Sequence, residues 1–358
     1  MYAKIPQPRD AGDRSISTQA AFDRRVLIAG ARGFIARHLA HHLPAAADAE
    51  RVLPGSDLDY GVRRRGGASA HPRASLLRRA RGRFHRLRDQ ARDVAEHVLT
   101  AVGLHHSERR LVADAARYWA DQSAPTWEDD SHWCGASAID DNTFSRIGLV
   151  HASLFDRMGA MVGIGTSLGR VLEWGVGGGA NAVQFAPRAD SFIAVDVNPA
   201  STMEAARRVE SVCETPVTEM VVDLADPESA HERIPSESLD LFVCLYVLEL
   251  VPTPEYGMRL MRIALAMLRP GGLAFVQIKY DRGSLTTRAF RRNYSRNSSN
   301  MTTYSLDGFW SAVADIGLQP VAMVLVPEND LDQRYAYLLL RKEPEAVALA
   351  GQDLPTGR

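Results

Sequence analysis

Between residues 171 and 223, acids recur at the ends of apolar runs. Val171-Leu172-Glu173 closes the first run in a carboxylate, and Gly175, Gly177 and Gly179 follow at once. A helix-like segment then leads to a second run that ends in Asp196. Glycines at such a turn let the backbone approach a ligand where a Cβ would collide. A carboxylate at the end of the second strand can accept two hydrogen bonds from ribose hydroxyls. A third run, Met220-Val221-Val222-Asp223, ends in an acid suited to an adenine amino group, with Leu224 placed to pack on the ring.

Two cofactor classes use this layout, dinucleotides and S-adenosylmethionine, and the continuation of the chain decides between them. Leu239 to Glu249 is a fourth apolar run, Met258 to Leu268 reads as a helix closed by Arg269-Pro270-Gly271-Gly272, and Leu273 to Lys279 reads as a fifth strand. In this order the motifs resemble the class I S-adenosylmethionine-dependent methyltransferases over residues 150–342. The resemblance implies that Glu173 helps hold the methionine part of S-adenosylmethionine while Gly175, Gly177 and Gly179 make room for it. It implies Asp196 on the ribose, Asp223 and Leu224 at the adenine, and backbone at Cys244 and Leu245 beside the cofactor amino group.

On the acceptor side the fourth run ends Glu249-Leu250, so the histidine that many small-molecule members carry after that acid is missing. Tyr246 and Glu249 are the catalytic candidates nearby, and His132 and His151 are candidate bases from the segment ahead of the first strand. Trp133, Tyr280, Arg291, Arg292 and Tyr304 are candidate substrate contacts. Arginines after the fifth strand suit an anionic or sugar-like acceptor, because guanidinium groups bind phosphate and carboxylate in a bidentate fork.

The elements that position these residues follow from periodicity. Strands are expected at 170–174, 191–196, 217–223, 239–245 and 272–279, with helices between them, which predicts a parallel sheet covered on both faces. A final pair at about 320–327 and 334–341, turning at Asn329-Asp330, adds an antiparallel hairpin. The fold class expected is α/β, a Rossmann-like seven-stranded methyltransferase sheet with a mainly helical N-terminal extension. The domains expected are an extension at 1–107, an aromatic-rich helical cap at 108–150, the catalytic domain at 151–345 and a tail at 346–358.

Within the extension, residues 25–43 resemble the opening of an NAD(P)-dependent epimerase through Gly30, Gly33 and Phe34, although Ala36 stands where the last glycine belongs. That family needs Tyr-x-x-x-Lys, and here Phe275 precedes Lys279 and Leu338 precedes Lys342, so the dyad is absent. Residues 73–104 read as an amphipathic helix with Leu77, Phe84, Leu87, Ala91, Val94, Val98 and Val102 on one face and arginines on the other. Such a face binds RNA or an acidic partner, or is simply solvated. Only three lysines stand among 42 basic residues, so arginine clusters reflect composition as much as function.

A net charge of −1 gives the whole chain no bias toward nucleic acid. No apolar run reaches membrane-span length, and Cys134, Cys213 and Cys244 show no metal spacing, which fits a reducing cytoplasm. The reading is a cytoplasmic methyltransferase using S-adenosylmethionine on an O or N atom of a small-molecule acceptor, with no metal and no membrane partner. A homodimer is compatible with it. The alternatives are an RNA or protein methyltransferase working through residues 73–104, and a non-catalytic ligand-binding module.

Overall fold

The computed structural model describes residues 28–29, 91–92, 94–124, 127–136, 139–284, 287–328 and 333–343. The Gly30 turn, residues 73–90 of the basic helix, the Asn329-Asp330 turn and the expected tail at 346–358 lie outside the described residues.

The strands are β1 (Ile28–Ala29), β2 (Arg170–Trp174), β3 (Ser191–Asp196), β4 (Val217–Val221), β5 (Leu239–Cys244), β6 (Leu268–Lys279), β7 (Leu318–Leu325) and β8 (Tyr335–Lys342). They form one sheet in the order β1-β7-β8-β6-β5-β2-β3-β4. From β6 to β4 all neighbours are parallel, and β8 runs antiparallel to both β6 and β7. The seven strands foreseen are all present. The epimerase-like stretch contributes β1, which pairs in parallel with β7 at the sheet edge. The chain winds outward from β2 to β4 and then returns to β5 on the other side of β2. Ligand clefts of open α/β sheets form at such a reversal, outside the carboxyl ends of the strands.

The helices are α1 (94–101), α2 (Glu108–Ala120), α3 (Trp127–Asp130), α4 (Asp141–Met161), α5 (Ala182–Phe185), α6 (Pro199–Glu210), α7 (Pro254–Met267), α8 (Tyr294–Asn297) and α9 (Leu306–Asp315). Alternation along the central strands sorts the core into two layers, as the pleat requires. Leu172, Trp174, Ile193 and Val195 pack with Leu260, Ile263, Phe309 and Val313 of α7 and α9. On the other face Val171, Phe192 and Ala194 pack with Leu154, Phe155 and Met158 of α4 and with Phe185 and Val209. Side-chain caps start the helices: Asp140 accepts from the Thr143 amide at 2.7 Å, and Thr253 accepts from the Tyr256 amide at 3.0 Å.

A domain boundary and a helix face differ from the sequence reading. Helix α4 runs straight through the 150/151 division, because its inward residues, from Phe144 to Met158, form one continuous buried stripe. In α1 the apolar positions Val94, Val98 and Val102 are exposed, while Glu96 and His97 are buried. Polar docking overrides the hydrophobic stripe there. Glu96 accepts from Asn293 Nδ2 and Asn297 Nδ2, each at 2.7 Å, and His97 stacks on Phe290 at 4.2 Å.

Candidate functional site

The glycine turn continues the strand ladder before it bends. Gly175 and Val176 amides donate to the Val195 carbonyl at 2.8 and 2.9 Å, and the chain then turns at positive φ at Gly175, Gly177 and Gly179. Asp196 closes the turn from β3: its Oδ2 accepts from the Gly177 amide and its Oδ1 from the Asn198 amide, both at 3.0 Å. Burial pushes the Asp196 carboxyl up, and these backbone donors pull it back down.

The glycines also admit the chain's own cap. A Cβ on Gly177 would lie 2.5 Å from the Ser131 carbonyl oxygen, and one on Gly178 would lie 2.5 Å from that of His132. The Gly178 amide donates to the Ser131 carbonyl at 2.8 Å. The close approach expected for a ligand therefore also serves to seat residues 131–133 on the turn. At the far end of the cap, the Trp119 carbonyl accepts from Asn198 Nδ2 at 2.8 Å, and Trp119 Nε1 donates to the Tyr294 hydroxyl at 2.9 Å.

Between cap and strand ends lies a cleft of about 930 Å³, measured out to its solvent mouth. The turn supplies Gly175, Gly177 and Asn181, and β3 supplies Asp196 and Val197. Val222, Leu224, Leu245 and Tyr246 line the wall beyond, and Trp119, Asp130, Ser131 and His132 form the roof. Among the described residues no lysine or arginine lines the cleft. The half-buried His132 stands at positive φ, its ring 5.0 Å from that of Tyr246. Burial, with a smaller contribution from His151, pushes His132 down to about 4. Its imidazole is therefore neutral near pH 7.

Several expected site residues stand off the cleft lining, each for a visible reason. Glu173 lies fully buried behind Asn181; of the pair whose backbone was expected beside the cofactor, Cys244 packs its side chain in the core and Leu245 lines the cleft. Gly179 packs on Ala205 of α6. Asp223 is exposed and holds its own turn, accepting from the Ala225 amide at 2.8 Å. Glu249 is buried away from the cleft lining and accepts from the Tyr335 hydroxyl at 3.0 Å. Tyr280 is buried in a bridge to Tyr304, and the Tyr304 hydroxyl donates to the Leu248 carbonyl at 3.1 Å. Trp133 packs with the small core around Phe144, so its neighbour His132 faces the cleft instead. Arg291 lies 3.9 Å from Glu255 of α7, and Arg292 donates to the Leu104 carbonyl and so braces the N-terminal segment. Asn181 and Tyr256, which sequence spacing did not single out, line the cleft together with Tyr294, which stands in the segment after the fifth strand where substrate-facing residues were expected.

His151 is buried beneath the cleft, in a hydrogen-bonded row. Its Nδ1 lies 2.7 Å from Asn181 Oδ1 and its Nε2 lies 2.9 Å from the Tyr337 hydroxyl. Asn181 Nδ2 donates to Glu173 Oε1 at 2.9 Å, Gln277 Nε2 donates to the Tyr337 oxygen at 3.1 Å, and Gln277 Oε1 accepts from the Tyr246 amide at 2.6 Å. Glu173 Oε2 has no hydrogen-bond partner among the described residues. Burial, opposed by Asn181 and aided by the Asp196 charge, pushes Glu173 up to about 8. An orphaned buried carboxyl oxygen beside a glycine cradle is the polar setting that a bound cationic ligand completes.

Residues 146–323 match a family model described as a methyltransferase domain. No curated protein matches the chain significantly. Among solved structures the chain is similar to N-methyltransferase NodS from Bradyrhizobium japonicum WM9 in complex with S-adenosyl-L-homocysteine, at 18% identity, 62% of this chain, 99% of that one and a TM-score of 0.46. It is also similar to 1,6-didemethyltoxoflavin-N1-methyltransferase from Burkholderia thailandensis, at 17% identity, 57% of this chain, 80% of that one and a TM-score of 0.41. Among the described residues no helix is long and apolar enough to cross a membrane, and no cluster could hold a metal ion. With the domain match joined to the strand order and the acid-ended strands around the glycine turn, residues 146–323 form a class I S-adenosylmethionine-dependent methyltransferase domain.

Proposed function

We propose that the cleft binds S-adenosylmethionine and that the enzyme methylates an N or O atom of a small, uncharged or basic acceptor. One observation carries the reading: Asp196, the glycine turn, Leu224, Leu245 and Tyr246 border a single cleft that the Trp119–His132 cap roofs. In this reading Asp196 receives the ribose hydroxyls, Val222 and Leu224 take the adenine face, and Asn181 with Glu173 behind it meets the methionine end. When bound, the cofactor supplies a methyl group already activated on a sulfonium, so the protein's task is position and exclusion of water.

The roof favours a small acceptor over a polymer strand, since Ser131 and His132 are clamped onto the glycine turn. The anionic acceptor expected from Arg291 and Arg292 loses its support, because both are engaged with Glu255 and Leu104 and no lysine or arginine lines the cleft among the described residues. Hydroxyl or amine groups suit Asp130, Ser131 and His132, so a sugar-like acceptor stays within the proposal. His132, neutral near pH 7, would accept the proton that the nucleophile loses.

Calorimetric titration with S-adenosylmethionine, with NADPH in parallel, tests the cofactor. Micromolar binding of the first alone is expected. Binding of NADPH alone would overturn the assignment.

A further inference from the structure

The row of hydrogen bonds from Glu173 to Tyr246 has a direction fixed at both ends. The Tyr246 backbone amide can only donate, so it points Gln277 Oε1 toward itself and leaves the Gln277 amide nitrogen to donate to the Tyr337 oxygen. At the other end Glu173 Oε1 accepts from Asn181 Nδ2, so Asn181 turns its oxygen to His151. His151 Nδ1 must then carry a hydrogen. With a neutral ring its Nε2 accepts, and the Tyr337 hydroxyl donates to it. All five bonds run one way, from Tyr246 to Glu173. Both ends reach the cleft: Tyr246 lines it directly, and Asn181 lines it in front of Glu173.

We propose that His151, Tyr337 and Gln277 are positioning residues for the cofactor, holding Asn181 with its amide hydrogens toward Glu173 so that cofactor binding ionises Glu173 and expels one proton. The inference rests on the cleft binding S-adenosylmethionine. Geometry supplies the coupling: Glu173 is buried, one oxygen has a single donor and the other has none. The ionisable groups around it are Asp196 from β3, Cys244 from β5 and, through Asn181, His151 from α4. No lysine or arginine figures among the charged groups acting on it. The upward displacement of Glu173 to about 8 agrees with a neutral carboxyl in the free protein. A cation placed against Oε2 reverses that preference, and the carboxyl proton leaves to solvent. Asn181 stabilises the ionised form only while the row keeps it from flipping.

S-adenosylhomocysteine, which keeps the cationic amino group of the methionine end, is the probe. Calorimetry in two buffers of different ionisation enthalpy counts the protons. Wild type should release close to one proton at about pH 7, with affinity rising about tenfold per unit between about pH 6 and 8. Tyr337→Phe and His151→Leu should weaken binding at least several-fold and shift the pH profile upward. His151→Asn, which keeps an N–H donor near the Nδ1 position, should restore much of the loss. Binding of S-adenosylhomocysteine to wild type without proton release would overturn the coupling, and unshifted profiles in both variants would overturn the positioning role. Failure of S-adenosylhomocysteine to bind wild type at all would instead strike the proposed cofactor.

Discussion

The Gly177 amide donates to Asp196 Oδ2 at 3.0 Å, so the glycine turn after β2 and the acid at the end of β3 form one unit. Asp196 holds the turn in place before any ribose arrives. Replacing it therefore removes a ligand acceptor and loosens the turn together. We expect Asp196→Ala to weaken S-adenosylmethionine binding by about 1.5–3 kcal/mol, the usual worth of hydrogen bonds to a charged group. Titration calorimetry checks this, and unchanged affinity would remove Asp196 from the site.

Gly177→Ala should act through the cap. The added methyl meets the Ser131 carbonyl oxygen at 2.5 Å, at a residue whose φ is +52°. Neither backbone can yield easily. A loss of about 1–3 kcal/mol in unfolding free energy is expected from the strain, with faster amide exchange at 127–133. Full stability with normal exchange there would show that the cap does not depend on this contact.

The sheet was legible because buried parallel strands read as continuous apolar runs, and every run from Val171 to Lys342 became a strand within a few residues. Glycine and acid positions were legible because a turn at positive φ constrains residue type. Side-chain direction was not. Cys244 and Leu245 are adjacent, yet only one reaches the cleft. Trp133, expected as a substrate contact, packs against the small core around Phe144, while the adjacent candidate base His132 lines the cleft. The partners of Arg291 and Arg292 lie on segments distant in sequence, Leu104 and Glu255, which no local pattern announces. His151 had the chemistry of a base, but its burial between Asn181 and Tyr337 follows from α4 packing on β8.

Glu96 should anchor the N-terminal segment. Its two carboxylate oxygens take one amide hydrogen bond each from Asn293 and Asn297, in a buried position. Glu96→Ala leaves both amides without that partner. We expect a cost of about 2–3 kcal/mol in stability and loss of exchange protection over 94–101. Protection unchanged in the variant would mean that His97 stacked on Phe290 suffices to dock α1.

Glu173 and His132 should give the free protein opposite pH dependences that overlap. Glu173 is raised from 4.5 to about 8, so the folded state holds more protons than the unfolded one across that window. Its contribution is fully present below the unfolded value and is lost as pH rises through about 8. His132 is lowered from 6.5 to about 4, so the unfolded state holds more protons there, and stability falls as pH drops through that window. Glu173→Gln keeps an oxygen for Asn181 and removes the titration. The variant should lose less stability than wild type between about pH 6 and 8 while keeping the acid limb of His132. Denaturant unfolding of both proteins across that range measures the difference. Parallel curves would place the Glu173 carboxyl in an ordinary, ionised state.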